Sequence, residues 1–181
     1  MFGKNSKKIV DELSIAHSTE ISGYFFYNAA SNLIGDEKGR NIFKHLAKEE
    51  LDHVRVITAL FESIKSGIGW LGYEDAVNRG TASVEKGLPI YPKDNELTER
   101  LKKNPTDINA INIGIDAEES AVGFYGSLLS LADAPVEKTV LTKLLEMEKG
   151  HLKVLRWEKE SLVKTGFWCG EMEYSVEKEA E

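Results

Sequence analysis

Apolar residues recur every three or four positions along four long stretches of the chain. This spacing is typical of amphipathic α-helices that turn one face toward a core. No stretch shows the sustained alternation of apolar and polar residues that a half-buried strand requires. The pattern therefore predicts an all-α fold, with helices over about residues 6–33, 37–66, 107–133 and 135–165.

Residues at the ends of these stretches carry helix-boundary signals. Gly35 and Asp36 form a turn between the first two helices, and so short a link predicts an antiparallel hairpin. Asp107 is the expected N-cap of the third helix, because a side-chain oxygen can accept hydrogen bonds from the free backbone N–H groups there. Pro135 suits the first position of the fourth helix, and Gly166 suits the position just beyond its end.

Residues 67–105 follow a different pattern, in which glycine and proline interrupt short apolar segments. Two short helical turns are expected there, near residues 73–78 and 95–103. A helix of about 28 residues is about 42 Å long, and this stretch has enough residues to cross that length. We therefore predict a four-helix bundle of two helical hairpins joined by this long crossover, with a bundle domain at residues 1–166 and a tail at 167–181. The aromatic start of the tail is expected to pack on the bundle.

An internal repeat carries the chemically specific residues. A glutamate followed three residues later by a histidine occurs twice, which places a carboxylate and an imidazole one turn apart on a helix face. Each pair follows another glutamate by 30 residues, and an offset of 98 relates the two halves. The repeat predicts two helical hairpins related by a pseudo-twofold axis. The repeated positions are Glu20, Tyr27, Leu46, Glu50 and His53 in the first half and Glu118, Tyr125, Leu144, Glu148 and His151 in the second.

Four inward glutamates and two histidines favour a metal site. Burying even one isolated carboxylate costs several kcal/mol or forces its protonation, whereas two divalent cations would balance four carboxylates. Di-iron carboxylate bundles use this arrangement of donors, and oxygen and nitrogen donors without thiolate favour iron, or manganese, over structural zinc. A metal-free structural bundle is the alternative. The predicted metal ligands, which are also the predicted catalytic residues, are Glu20, Glu50, His53, Glu118, Glu148 and His151.

Other residues near the predicted ligands are candidates for a supporting role. Tyr27 and Tyr125 each follow a predicted ligand by seven residues, so each phenol can donate a hydrogen bond to a ligating carboxylate of a neighbouring helix. Ordinary core packing with a satisfied hydroxyl is the alternative for both. Glu49 can orient a histidine ring, but its repeat counterpart is Met147, so this support would be one-sided. His17, one turn before the first glutamate, is a candidate for lining the site entrance. For both Glu49 and His17, an ordinary role outside the site is the preferred interpretation.

Composition and charge narrow the classes of function. The chain has 181 residues, of which 41% are hydrophobic and 29% charged, so one soluble globular domain is expected. A net charge of −7 argues against nucleic acid or an anionic membrane surface as the main partner. No apolar run approaches the ~20 residues that span a bilayer. Because the single cysteine, Cys169, cannot form an internal disulfide and no signal-peptide apolar region follows Met1, we expect a cytoplasmic location.

Four motifs surround the predicted ligands: Glu20-x-x-Gly23-x-x-x-Tyr27, Ala47-Lys48-Glu49-Glu50-x-x-His53, Ile115-Asp116-Ala117-Glu118-x-x-Ala121-x-x-x-Tyr125 and Glu146-Met147-Glu148-x-x-His151. Over roughly residues 6–66 and 106–165 the chain resembles the rubrerythrin branch of the ferritin-like superfamily. The resemblance implies a ferritin-like bundle in which the six residues bind two iron ions. It also implies an oxidoreductase that reduces hydrogen peroxide in defence against oxidative stress, with ferroxidase-like oxidation of Fe(II) or iron handling as the alternative.

Two departures from this family pattern shape the expected partners. Full rubrerythrins carry a rubredoxin-like domain whose four cysteines bind another iron, so the resemblance is to a form lacking that domain. They also have a second glutamate one turn from the third-helix ligand, whereas Ile115 and Ala121 flank Glu118 here. We therefore expect an external electron donor such as a rubredoxin or a reductase. The expected oxidant is hydrogen peroxide or dioxygen, and the expected assembly is a homodimer.

Overall fold

The computed structural model describes residues 6–80 and 95–170 and is helical throughout its main elements. Among the described helices, none combines the length and the apolar character that crossing a bilayer requires. The predicted all-α class is confirmed, and the helix ends agree with the sequence pattern to within a few residues. The helices are α1 (Ser6–Leu33), α2 (Glu37–Lys65), α3 (Tyr73–Arg79), α4 (Glu96–Lys103), α5 (Asp107–Leu131) and α6 (Pro135–Thr165).

Polar side chains and special backbone positions end these helices. The Asp36 carboxylate caps α2 by accepting hydrogen bonds from two backbone N–H groups of the first turn. The prediction that Asp107 caps α5 is wrong, because Thr106 is the N-cap and its hydroxyl oxygen accepts from the Asn109 N–H at 3.3 Å. Pro135 begins α6 as predicted. Gly166 follows α6 with a φ of 78°, a left-handed conformation that glycine adopts without strain.

Each long helix runs antiparallel to its two neighbours. Tyr27 of α1 reaches Glu118 of α5 while Tyr125 reaches back to Glu20, so α1 and α5 run in opposite directions. His53 of α2 lies beside Glu148 of α6, and Glu49 lies beside His151, so α2 and α6 also run in opposite directions. Since α1–α2 and α5–α6 are antiparallel hairpins, α2 and α5 lie on a diagonal and run parallel. The chain must therefore return along the bundle between them, which confirms the predicted crossover.

The described parts of the crossover pack on opposite faces of the bundle. Helix α3 contacts α2 and α6, whereas α4 contacts α1 and α5. They correspond to the two helical turns predicted near residues 73–78 and 95–103. The apolar residues Ile90 and Tyr91 of the crossover lie outside the described residues. Each broad cleft between the hairpins is thus crossed by one short helix.

Two apolar clusters fill the two ends of the bundle and leave a polar layer between them. One cluster contains Phe26 and Phe43 from the α1–α2 turn end, and the other contains Leu13 and Leu60 from the opposite end. The predicted ligands occupy the middle of each helix, between the positions that supply these clusters. Because apolar burial on both sides drives the helices together, the ionisable residues of the middle layer are carried into the core.

The tail closes one end of the bundle through Trp168. Its indole ring is 4% exposed, packs edge-on against Phe43 with ring centroids 5.9 Å apart, and covers Gly39 so closely that any Cβ there would overlap it. The indole N–H donates to the Asp107 carboxylate at 2.9 Å. Phe167 is 73% exposed, so the predicted packing of the aromatic tail holds for Trp168 only.

Removing the Trp168 side chain should destabilise the protein much more than removing its neighbour. Trp168→Ala should lower the free energy of unfolding by about 3–5 kcal/mol, because it empties a packed aromatic site. Phe167→Ala, the matched control, should change it by no more than about 0.5 kcal/mol, because that ring is largely in solvent. Urea denaturation measures both values. Equal losses would show that Trp168 contributes little to closing the bundle.

Candidate metal centre

All six predicted ligands meet in the polar middle layer of the bundle. Helix α1 supplies one glutamate and α5 another, while α2 and α6 each supply a glutamate and a histidine one turn apart. None of the six is more than 3% exposed. The cluster consists of Glu20, Glu50, His53, Glu118, Glu148 and His151.

Three carboxylates surround His53. Its Nδ1 lies 2.9 Å from Glu148 Oε1, 3.2 Å from Glu20 Oε2 and 3.8 Å from Glu50 Oε2. The His53, Glu20 and Glu148 atoms lie close enough together for one metal ion to contact all three. Glu20 takes part in this half of the cluster only, so it is the terminal carboxylate there.

The second half repeats this geometry around His151. Its Nδ1 lies 3.4 Å from Glu148 Oε2, 3.5 Å from Glu50 Oε1 and 3.6 Å from Glu118 Oε1. Glu50 and Glu148 therefore present one oxygen to each imidazole, as bridging carboxylates do, and Glu118 is terminal. The two imidazole rings stack with centroids 5.5 Å apart. The pseudo-twofold axis implied by the sequence repeat thus passes between them.

Several ligand atoms at the centre have no hydrogen-bond partner among the described residues. They are Glu118 Oε2, both carboxylate oxygens of Glu148 and His151 Nδ1, each shielded from solvent. The short nitrogen–oxygen distances at Glu148 are not aligned as hydrogen bonds. Leaving a buried polar atom unpaired costs about 1–3 kcal/mol. Unpaired oxygens and an unpaired imidazole nitrogen that converge on one point are the donors a cation would use, so the residues fit a metal.

Burial disfavours the charged form of each of these groups, and the neighbouring charges add to this effect on the pKa or oppose it. Burial raises the pKa of Glu118 to about 7, with the neighbouring Glu148 carboxylate adding to the shift. Burial, together with Glu20, raises the pKa of Glu50 well above its ordinary value. Burial disfavours the charged form of His53, but the Glu148 and Glu20 carboxylates together outweigh it and raise the His53 pKa. The metal-free cluster therefore holds protons at neutral pH, and cations can take their place.

The two predicted supporting tyrosines donate hydrogen bonds to the terminal carboxylates. The Tyr27 hydroxyl donates to Glu118 Oε1, and the Tyr125 hydroxyl donates to Glu20 Oε1. Burial and the nearby carboxylates raise the pKa of both phenols well above the ordinary value, so both keep their protons. Each tyrosine therefore serves the glutamate of the other repeat. This contact places both residues at the cluster rather than in ordinary core packing.

Glu49 contacts one of the two histidines of the cluster. Its Oε2 accepts a hydrogen bond from His151 Nε2 at 2.9 Å, which turns the Nδ1 atom toward the cluster. In the other half, Met147 contacts the Tyr73 hydroxyl, and His53 Nε2 has no hydrogen-bond partner within residues 6–80 and 95–170. The support is therefore one-sided.

Sequence reasoning missed one neighbour of this contact. His45 lies one turn before Glu49, with its Nε2 at 3.3 Å from the same carboxylate oxygen, and the i,i+4 spacing could have identified it. His17, the candidate for the entrance, bonds to Thr58 Oγ1 at 3.1 Å and lies edge-on to Phe61. It therefore packs between α1 and α2.

Cavities reach the cluster from two sides. A cavity of about 30 Å³ between α1 and α5 is lined by the four carboxylates of the cluster. A larger pocket of about 330 Å³ between α2 and α6 is lined by His45, Glu49 and His151, together with Lys149. The centre is thus buried but reachable by small species.

Comparisons with known proteins agree with this geometry. The family model described as Rubrerythrin matches residues 11–159, which contain all four long helices in large part. A solved structure of a hypothetical protein from Pyrococcus furiosus is similar, with a TM-score of 0.59 and 24% sequence identity over 86% of this chain and 90% of that chain. At that identity the likeness shows the fold alone. No curated protein matches the chain.

The protonation of the cluster predicts an unusual pH dependence for the metal-free protein. Because the pKa of Glu118 rises from 4.5 to about 7 on folding, the folded state binds this proton more tightly than the unfolded state. The free energy of unfolding therefore falls as pH rises through that interval. The raised pKa values of His53 and His151 act in the same direction, and their contribution is lost as pH rises above the ordinary histidine pKa. Chelator-treated protein should melt at a lower temperature at about pH 8 than at about pH 6.

Glu118→Gln tests whether protonation of Glu118 causes this pH dependence. The amide keeps the shape of the side chain and can still accept the Tyr27 hydrogen bond. At about pH 8 the metal-free variant should be more stable than the parent by about 1–3 kcal/mol. Glu119→Gln, which alters an exposed carboxylate paired with Arg156, is the control and should leave the pH dependence unchanged. Loss of stability in Glu118→Gln at both pH values would contradict the protonated cluster.

Proposed function

This chain belongs to the rubrerythrin family, and we propose that it is a non-haem di-iron oxidoreductase that reduces hydrogen peroxide in defence against oxidative stress. The observation that supports this most directly is the buried cluster of four glutamates and two histidines, arranged as two equivalent halves with unpaired donor atoms. Two divalent cations would neutralise its four carboxylates. Among the described residues of the cluster, the carboxylates are neutralised only when a glutamate or a histidine binds a proton.

The arrangement of the side chains supports a proposed role for each ligand. Glu20 and His53 would hold one ion, and Glu118 and His151 the other. Glu50 and Glu148 would bridge the two, since each turns one oxygen to each half. With iron bound, the pair supplies two electrons, which with two protons convert one hydrogen peroxide into two molecules of water. Manganese fits the same donors.

Tyr27 and Tyr125 would keep the terminal carboxylates in position. Each phenol occupies one oxygen of its glutamate and leaves the other oxygen free to bind metal. Gly23 lies against Glu50, where an added Cβ would come within 3.3 Å of its carboxyl carbon, so little space remains for that carboxylate to move. The buried, preorganised donors lower the cost of arranging the ligands when metal enters.

A ferroxidase or iron-handling function is the second candidate, and two observations favour it. Ile115 and Ala121 flank Glu118, so the centre has six symmetrical ligands and no seventh carboxylate at those positions. The pocket of about 330 Å³ beside His151 also has Glu49 and His45 in its wall, and carboxylate and imidazole groups suit an incoming Fe(II) ion. Fe(II) would then be the substrate, and dioxygen or peroxide the oxidant.

Sustained peroxide reduction requires an electron donor. The single cysteine among these 181 residues cannot build a four-cysteine iron site. We propose an external donor such as a rubredoxin or a reductase. A homodimer also remains a prediction, based on the long crossover, which allows hairpins to exchange between two copies. Small oxidants, rather than nucleic acid or a membrane, would be the other partners.

The first test of this function is metal binding. Anaerobic addition of Fe(II) should load about two ions per chain and raise the melting temperature, since binding at about a hundredfold excess over Kd adds about 2.7 kcal/mol to the free energy of unfolding. Glu118→Ala should lose most of this gain, whereas Glu119→Ala, its exposed neighbour, should keep it. Elemental analysis and thermal melting measure the two effects. The assignment of the site would be wrong if no metal bound, or if Fe(II) raised the melting temperature equally in both variants.

The second test is the stoichiometry of peroxide consumption. The reduced di-iron protein should consume about one hydrogen peroxide per site and then stop, because each turnover removes two electrons. Adding a rubredoxin with its reductase and NAD(P)H should restart consumption. Sustained NAD(P)H-dependent turnover by the purified chain alone would exclude the need for an external donor. If excess Fe(II) is instead oxidised continuously by dioxygen while peroxide is not turned over, the protein is a ferroxidase.

A further inference from the structure

The short helix α4 bridges α1 and α5 on the side of the bundle where the carboxylates face a cavity. At its N-terminus, the Asn95 side-chain amide donates to the Ser22 carbonyl of α1 at 3.1 Å. Further along, the Arg100 guanidinium pairs with Asp116 of α5. The helix is also closed by its own capping box between Asn95 and Thr98. Helix α4 is therefore anchored to both walls of the cleft that leads to the proposed metal site.

Two cavities meet beneath this helix. The inner one, of about 30 Å³, is bounded by the four carboxylates and by the small residues Gly23 and Ala121. The outer one, of about 430 Å³, opens on the surface between α1, α4 and α5. Three residues line both cavities, namely Thr19, Leu97 and Ala117. These three side chains therefore form a neck between solvent and the cluster, and Leu97 is the largest of them.

The neck is narrow and apolar. Leu97 is half-buried and packs against the apolar cluster that contains Phe26. The Thr19 hydroxyl already donates to the Ile15 carbonyl at 3.0 Å, which leaves the neck no free donor from that residue. The inner cavity is about as large as the space one water molecule occupies in the liquid, about 30 Å³. A small neutral molecule fits this passage, whereas a hydrated divalent cation would have to lose its water ligands with no carboxylate at the neck to replace them.

The opposite side of the centre differs in this respect. The pocket between α2 and α6 has Glu49, His45 and His151 in its wall, so charged or coordinating groups are present there. The outer groove under α4 also carries charged groups, from Glu96, Arg100 and Asp116. The uncharged stretch is the neck itself, which suits small uncharged species because its three residues offer no charged or coordinating group.

We propose that Leu97 is a specificity-determining residue that limits the oxidant reaching the metal centre to molecules of the size of hydrogen peroxide or dioxygen and excludes organic hydroperoxides. This rests on the proposed function, because it assumes metal at the cluster. Leu97 itself touches the passage and not the ligands' hydrogen-bond network, so it acts by restricting access. The outer groove provides a polar approach to the neck, lined by the hydroxyls of Ser18, Ser22 and Ser120 and by the charged groups of Glu96, Arg100 and Asp116.

The test compares two substitutions at the neck with a matched substitution at the other opening. Leu97→Ala widens the passage, Leu97→Trp fills it, and Lys149→Trp adds the same bulk beside the α2–α6 pocket. The first readout is the association rate of nitric oxide, a small neutral probe, with the Fe(II)-loaded protein in stopped flow. The second is the rate of consumption of cumene hydroperoxide relative to hydrogen peroxide. Iron content is measured for every variant.

Leu97→Trp should slow nitric oxide association at least about tenfold, and Leu97→Ala should raise the cumene-to-hydrogen peroxide rate ratio about tenfold, since steric discrimination of small groups is of that order. Lys149→Trp should change neither. If Leu97→Trp does not fold, the Leu97→Ala ratio alone decides. The proposed role of Leu97 as a gate at the neck would be wrong if all fully loaded variants had equal nitric oxide association rates and equal ratios of cumene hydroperoxide to hydrogen peroxide consumption. A nitric oxide rate that depends on Leu97 in a protein inert to peroxide would support the gate and refute peroxidase function, and failure to bind iron would refute both.

Discussion

The cost of burying four carboxylates and two imidazoles in one layer of a helical bundle is the constraint on which the rest of this structure depends. An unpaired ionised group in such a place is unfavourable by several kcal/mol. Two large apolar clusters on either side of the layer offset that cost, because they hold the four long helices together. Part of the cost persists in the metal-free protein, where the pKa values of Glu118 and Glu50 are raised. These carboxyl groups therefore keep protons that they would lose in water.

The pseudo-twofold symmetry ties the two hairpins to one another at this layer. Each terminal glutamate receives its phenol hydrogen bond from the other hairpin, and each bridging glutamate faces both histidines. Neither hairpin therefore contains a complete half-site of its own. The symmetry ends where Glu49 supports His151 and Met147 stands at the equivalent position beside α3. One histidine is consequently held in orientation by a carboxylate, while the other depends on the cluster itself.

The two clefts between the hairpins differ because different parts of the crossover cover them. Helix α3 lies over the α2–α6 side, where Tyr73 reaches Met147. Helix α4 lies over the α1–α5 side and places Leu97 next to the inner cavity. A long crossover is required by topology, since it joins two parallel helices on a diagonal. Its helices also determine which surface of the buried centre stays accessible.

The sequence by itself determined the fold class, the positions of the four long helices and which six residues meet. These features depend on hydrophobic period, turn residues and a repeat offset, all of which can be counted along one chain. The one-sided support by Glu49 was also predictable, because the repeat aligns it with Met147. The cap of α5 was not, since Thr106 and Asp107 both carry a side-chain oxygen that can cap, and the choice depends on where the helical backbone begins.

Only the tertiary structure decided which atoms face one another. That Tyr27 serves Glu118, that both histidines turn Nδ1 inward, and that His45 joins Glu49 depend on how the helices are rotated and how closely they approach. The position of Leu97 depends on where a short helix docks across two long ones. A periodic pattern specifies which face of a helix is buried, but the pairing across that face is set by side-chain packing between elements distant in sequence.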